Sequence, residues 1–204
     1  MNSAGHELEV KFLLSRPGAF EDRLGVLGAQ LLHPRVHEIN LRFDTPDGAL
    51  TSRAQVLRLR RDHQTTLTYK GPGETQAGVR KRREIEFTIS DYQAAQALLE
   101  ALGYRVLLMY EKHRTTYAWQ GVLIVLDEMP YGNFAEIEGP DPELIHTTSA
   151  HLGMAWEARL LDSYTMLFDK LRGVYAFTFR DLSFANFAGL DVDWSALGIP
   201  PADL

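Results

Sequence analysis

Apolar and charged positions alternate along this chain in run after run. In the first, Leu8, Val10 and Phe12 alternate with Glu7, Glu9 and Lys11. A strand directs successive side chains to opposite faces, so the three charged groups share one face and the apolar set takes the other. The pattern returns where Arg58 and Arg60 alternate with Val56, Leu57 and Leu59, and where Arg80, Arg82, Glu84 and Glu86 alternate with Val79, Ile85 and Phe87. Lys112 and Arg114 lie in a further β-like run, and Glu136 and Glu138 flank Ile137. Together these runs predict strands at about 7–14, 36–43, 56–61, 64–70, 79–89, 105–118, 122–127 and 134–138.

The segments between carry turn and helix signals. Ser15-Arg16-Pro17-Gly18 reads as a turn into a helix with Phe20, Leu24, Leu27 and Leu31 at helical spacing. Asp44-Thr45-Pro46-Asp47-Gly48 ends the second strand, Asp62-His63 closes a hairpin, and 71–78 reads as a flexible loop. Ser90-Asp91 caps a helix with an apolar stripe of Ala94, Ala95, Leu98, Leu99 and Leu102, ended by Gly103. Beyond Pro140-Asp141-Pro142 the pattern is helical to about residue 172. The expected class is α+β: eight mostly antiparallel strands closed into a barrel, with helices outside. Closure removes the sheet edges. If the apolar stripes pack under the helices, every charged stripe turns inward and the lumen is polar.

Such a lumen holds both signs of charge, which is tenable only if it is wet, internally paired or filled by ligand. Glu7, Glu9, Glu136 and Glu138 form a candidate carboxylate patch, suited to a hard divalent cation such as Mg²⁺. Lys11, Arg58, Arg60, Lys70, Arg82, Lys112 and Arg114 are candidate clamps for phosphate oxygens. Acids and cations on opposite walls would hold a polyphosphate between them. A set of surface strands with salt-bridged charges is the alternative reading. The seven histidines show no zinc-site spacing. The 71–73 Gly-Pro-Gly lacks the Gly-Lys-Ser/Thr end of a phosphate-cradling loop.

Composition narrows the field. A chain of 204 residues, 45% hydrophobic and 24% charged, suits one globular domain with an appended tail. The net charge of −6 argues against general nucleic-acid binding, which needs a basic footprint. There is no cysteine, hence no disulfide framework. No signal-peptide pattern and no run of roughly 20 apolar residues occurs, so a soluble, cytoplasmic protein is expected.

The residues also carry a family likeness. Glu7-Leu8-Glu9-Val10-Lys11 matches an E-x-E-x-K signature, Tyr69-Lys70-Gly71-Pro72 a Y-K-G-P turn, and Arg82-Arg83-Glu84-Ile85-Glu86 an R-x-E-x-E strand. Glu111-Lys112-His113-Arg114 fits a K-x-R strand; Leu126-Asp127-Glu128 and Phe134 to Gly139 fit two late acidic strands; Ser163-Tyr164 precedes the last helix. In this order they resemble the CYTH superfamily, the triphosphate tunnel metalloenzymes. The resemblance implies an eight-stranded antiparallel tunnel that binds a triphosphate with Mg²⁺ or Mn²⁺. It implies metal-binding roles for Glu7, Glu9, Asp127, Glu136 and Glu138, with Glu84 and Glu86 as supporting lumen carboxylates. The seven basic residues named above become phosphate ligands. Glu7, Glu9, Lys11, Glu136 and Glu138 form the expected catalytic set.

The expected activity is metal-dependent hydrolysis of tripolyphosphate, ATP or thiamine triphosphate. Cyclisation of ATP to cyclic AMP and pyrophosphate is the first alternative, and a non-catalytic polyphosphate- or nucleotide-binding module the second. The second strand departs from the family pattern, with Asn40-Leu41-Arg42-Phe43-Asp44 where many relatives carry an Asp and tyrosines. Its ligand role is therefore left open. The tunnel domain is expected over 1–172. A tail, 173–204, holds Phe177, Phe179, Phe184, Phe187 and Trp194. It is too aromatic for simple disorder, and is expected to pack on the barrel exterior, or else to make a homodimer contact or a lid over one tunnel mouth.

Overall fold

The computed structural model describes residues 5–203. Its strands are β1 (His6–Leu14), β2 (Gln30–Asp44), β3 (Val56–Arg61), β4 (Thr65–Gln76), β5 (Val79–Ile89), β6 (Arg105–Trp119), β7 (Val122–Met129), β8 (Gly132–Glu138) and the two-residue β9 (Arg159–Leu160). The helices are α1 (Pro17–Val26), α2 (Ala49–Ser52), α3 (Tyr92–Ala101), α4 (Pro142–His151) and α5 (Tyr164–Tyr175). The order β5-β4-β3-β2-β6-β7-β8-β1 closes through a β1–β5 pairing, and the pairs are antiparallel. The α+β barrel of eight antiparallel strands, with α1, α3 and α4 outside, is what the alternation predicted; α5 instead packs at the inward face. Closure between β1 and β5 spans only His6–Glu9 against Arg80–Arg83, and β9 pairs with Lys11 and Phe12 where the two strands part.

Three apolar clusters account for the shape. The outward residues Leu8, Val10, Phe12, Ile124, Leu126 and Ile137 pack under Phe20 and Leu24 of α1 and Ile145 of α4. Phe43 and Leu59 pack under Ala95 and Leu99 of α3. The third cluster is on the other side of the sheet. Leu13, Phe134 and Tyr110 share strand faces with Lys11, Glu136 and Lys112, yet they join Phe168 of α5 with Leu182, Phe187 and Trp194. The C-terminal segment therefore closes one end of the lumen from inside. Leu182 also pairs with the edge of β6, its N–H donating to Met109 O and its carbonyl accepting from Glu111 N, both at 2.9 Å. Asp203 anchors the end of the segment by accepting from the Ser15 and Arg16 backbone N–H groups at 2.7 Å. Phe184 packs outside, its ring tilted against those of His37 and His113.

Four local expectations need correction. The helix after β1 ends at Val26 and β2 begins at Gln30, because Gly28 turns the chain in the left-handed region (φ +71°). Residues 71–76 are strand, continuing β4 past a bulge between Lys70 and Gly73. The helical run from 142 to 172 is broken at Gly153 (φ +74°), and a 3₁₀ turn and β9 separate α4 from α5. On α3, Leu98 and Leu102 are exposed, so its buried stripe is narrower than the spacing implied.

Candidate functional site

Period-two geometry fills the lumen with charge. A cavity of about 700 Å³ is lined from β1 by Glu7, Glu9 and Lys11, and from β8 by Glu136 and Glu138. β3 adds Arg58 and Arg60; β4 adds Lys70; β5 adds Arg82, Glu84 and Glu86; β6 adds Lys112 and Arg114. Ser163, Tyr164 and Thr165 line it from the start of α5. All the expected phosphate ligands and all the expected carboxylates except Asp127 thus meet in one cavity. Separation by sign is partial. Acids concentrate on β1 and β8 and guanidinium groups on β2, β3 and β6, while β5 carries both, with Arg80 and Arg82 beside Glu84 and Glu86.

Each lysine bridges two acids. Lys11 Nζ lies 2.7 Å from Glu9 and 3.3 Å from Glu136. Lys70 Nζ lies 2.5 Å from Glu7 and 3.1 Å from Glu84. Lys112 Nζ lies 3.0 Å from Asp127 and 3.6 Å from Glu38. Burial pulls the Lys11 pKa down, but Glu136 and Glu9 outweigh it and the ammonium is held above its ordinary value. Glu136 is held well below the carboxylate range because Lys11 and Arg114 overcome its burial. Arg58 is raised, with Tyr110 and Glu86 outweighing burial. Glu86 accepts from Thr68 Oγ1 at 2.7 Å and from Arg58 at 3.3 Å. Arg82 donates to the carbonyls of Gly71 at 2.8 Å and Ala54 at 3.0 Å, so much of its hydrogen-bonding capacity fixes the β4 bulge.

Glu138 behaves differently. Among the described residues it makes no ion pair or side-chain hydrogen bond, while burial and the nearby charges of Glu7 and Glu9 raise its pKa to about 7. No three Asp, Glu or His side chains among the described residues stand close enough to enclose a metal by themselves. The donor set nonetheless fits a hard divalent cation, since Glu138 opposes Glu9 across the β1–β8 ladder and its crowding is of the kind a cation relieves.

Asp127 is on the inward face of β7, opposite Arg114, but it lies beneath the side chains that line the cavity. It is fully buried, and it accepts from Lys112 at 3.0 Å, Arg114 Nε at 2.7 Å and Tyr164 Oη at 2.8 Å. Its oxygens are thus shared among Lys112, Arg114 and Tyr164, as those of Glu136 are between Lys11 and Arg114. Glu38 went unremarked in the sequence. It is buried beside Lys112 and Arg114, which overcome the burial penalty and lower its pKa to about 2. The alternation Glu38, Asn40, Arg42 with Ile39 and Leu41 between them was the available signal. Asp44, at the end of the same strand, accepts from Leu50 and Thr51 N–H at 2.8 and 2.9 Å and is committed to the α2 turn.

Among the described residues no helix is long and apolar enough to cross a membrane. The CYTH domain family profile matches residues 5–147. Adenylate cyclase CyaB of Aeromonas hydrophila is 29% identical over 136 residues, covering 64% of this chain and 67% of that protein. An adenylate cyclase candidate from Vibrio parahaemolyticus shares the fold with a TM-score of 0.72 at 23% identity, over 80% of this chain and 97% of that one. So does a Hippeastrum adenylyl cyclase candidate described as having a dominant triphosphatase activity, with a TM-score of 0.62 at 24% identity, over 80% and 95%. With a family match across well over half its length and the barrel that goes with it, the chain belongs to the CYTH domain family.

Proposed function

We propose that this chain is a divalent-metal-dependent enzyme that hydrolyses a triphosphate in the barrel lumen. The observation that carries the reading is one cavity in which nine Lys and Arg side chains, the seven expected phosphate ligands among them, face a cluster of glutamates. Lys11, Arg58, Arg60, Lys70, Arg82, Lys112 and Arg114 bind and neutralise the phosphate oxygens, with the guanidinium groups able to do so bidentately. Glu7, Glu9, Glu136 and Glu138 would hold Mg²⁺ or Mn²⁺, which when bound would supply Lewis acidity to the reaction. Lys11 and Lys70, each shared between two glutamates, turn to the phosphates and leave those acids to the cation. Asp127 and Tyr164 keep Lys112 and Arg114 aimed inward. Water attacks the terminal phosphorus, the bridging P–O bond breaks, and the shortened phosphate chain leaves with its charge held by the same cations. Positioning and electrostatics carry most of such a reaction, and no covalent nucleophile is needed.

A second reading is cyclisation of ATP, favoured by the likeness to the Aeromonas adenylate cyclase. The same clamp serves both; the attacking group is water in one and the ribose 3′-hydroxyl in the other. Incubating the purified protein with ATP and Mg²⁺ or Mn²⁺ and separating the products distinguishes them. Orthophosphate with ADP is expected. Cyclic AMP with pyrophosphate as the main products would reverse the order of the two readings.

A further inference from the structure

Arg42 is a cavity cation to which the family likeness gives no task. It projects from the inward face of β2 into the cavity, near the end that α5 closes. Among the described residues no carboxylate lies within ion-pairing distance of it, and its side-chain bond runs from Nη1 to Thr165 Oγ1 at 2.6 Å. Its partner across the β2–β3 ladder is Arg58, whose Nε is buried without a hydrogen-bond partner. Like charges directly opposite on neighbouring strands repel each other, and a buried donor left unmade is costly.

The acids around Arg42 do not offset this. Asp44 is committed to the α2 turn, and Asp169 of α5 is 71% exposed and faces Arg172 at 3.8 Å. The Tyr110 hydroxyl is taken up with Arg58. Burial together with the Arg58 charge leaves the Arg42 pKa below its ordinary value despite these groups. An anion seated between the two guanidinium groups satisfies both at once.

We propose that Arg42, Arg58 and the Thr165 hydroxyl form a phosphate subsite at the closed end of the cavity, which takes the terminal phosphoryl group of the substrate. A polyphosphate then enters end-first, and any organic group stays at the open mouth. The substrate class is a triphosphate with at least one free terminal phosphate. A triphosphate capped at both ends has no group to place beside Arg42. This inference rests on the polyphosphate reading of the cavity.

Calorimetry without turnover tests it, using tripolyphosphate and the doubly capped diadenosine triphosphate in the presence of Ca²⁺. Wild type is expected to bind tripolyphosphate at least about a hundredfold more tightly than the capped compound. Arg42→Gln should weaken tripolyphosphate binding about ten- to hundredfold. Arg42→Lys, which keeps the charge but loses the planar fork, should fall between them, and it serves alone if Arg42→Gln does not fold. Folded variants that bind tripolyphosphate as wild type does, or equal wild-type affinity for the capped compound, would overturn the subsite and leave the polyphosphate reading standing. Wild type that binds no tripolyphosphate at all would overturn both.

Discussion

Lumen side chains divide into those held by one another, such as Lys11 between Glu9 and Glu136, and those with no ion pair among the described residues, such as Glu138 and Arg42. Glu7, Arg58, Lys112 and Glu138 could be placed on one interior face by alternation alone, because a period of two leaves a side chain only two directions. Which of them are free, and which are spent on one another, depends on contacts across the barrel that no spacing encodes. Asp127 shows this: its place in the acidic strand suggested a ligand, while the structure engages it with Lys112, Arg114 and Tyr164. Glu138 supplies a prediction at this scale. Its folded pKa of about 7 lies above the ordinary value of 4.5. Between those values the folded chain holds the extra proton, so folding stability should fall as pH rises from about 4.5 to 7. The loss should amount to roughly 3 kcal/mol at most. Glu138→Gln stays neutral and lacks that slope. Thermal unfolding of the chelator-treated proteins at pH 5 and pH 8 should show the variant gaining on wild type at the higher pH; parallel behaviour would mean that Glu138 is not crowded.

Whole elements were legible where one signal dominated. β3 and β5 match their expected bounds, and Asp91 caps α3 by accepting from Ala94 N–H at 3.0 Å. Failures came where local composition and long-range pairing disagreed. Gly71, Pro72 and Gly73 read as loop, yet β5 supplies Arg82, Lys81 and Arg80 as ladder partners for residues 73–75. β9 is only two residues long and exists because β1 has a free edge there. The C-terminal segment is the largest case. Its aromatic content signalled packing, but the surface it covers is the inward face around Leu13, Tyr110 and Phe134, brought together by strands distant in sequence. Trp194 is the test of that packing: it is buried against Tyr131 and Phe134, and its Nε1 donates to Tyr131 O at 3.1 Å. Trp194→Ala should cost about 3–5 kcal/mol, seen as a lower urea midpoint. An unchanged midpoint would show that the segment is not part of the cooperative unit.

At the scale of the molecule, the fold inverts the usual distribution of polarity. Apolar residues hold the helices on the outside, and the interior concentrates cations in a chain whose net charge is −6. Such an interior is tolerated because most of its charges are paired: Lys11, Lys70, Lys112 and Arg114 are all held by carboxylates. The same pairing makes it responsive, since an incoming polyanion competes for the cations and frees the acids. Cleavage of a triphosphate in this lumen is what we propose. Its most direct test is the initial rate of orthophosphate release from tripolyphosphate with Mn²⁺, measured for wild type, Arg58→Ala and Glu9→Ala in folded preparations. Wild type should turn over, and each variant should lose about a hundredfold or more, as expected when one preorganised charge is removed from a site of this kind. A folded variant that keeps the wild-type rate would place the chemistry outside the barrel.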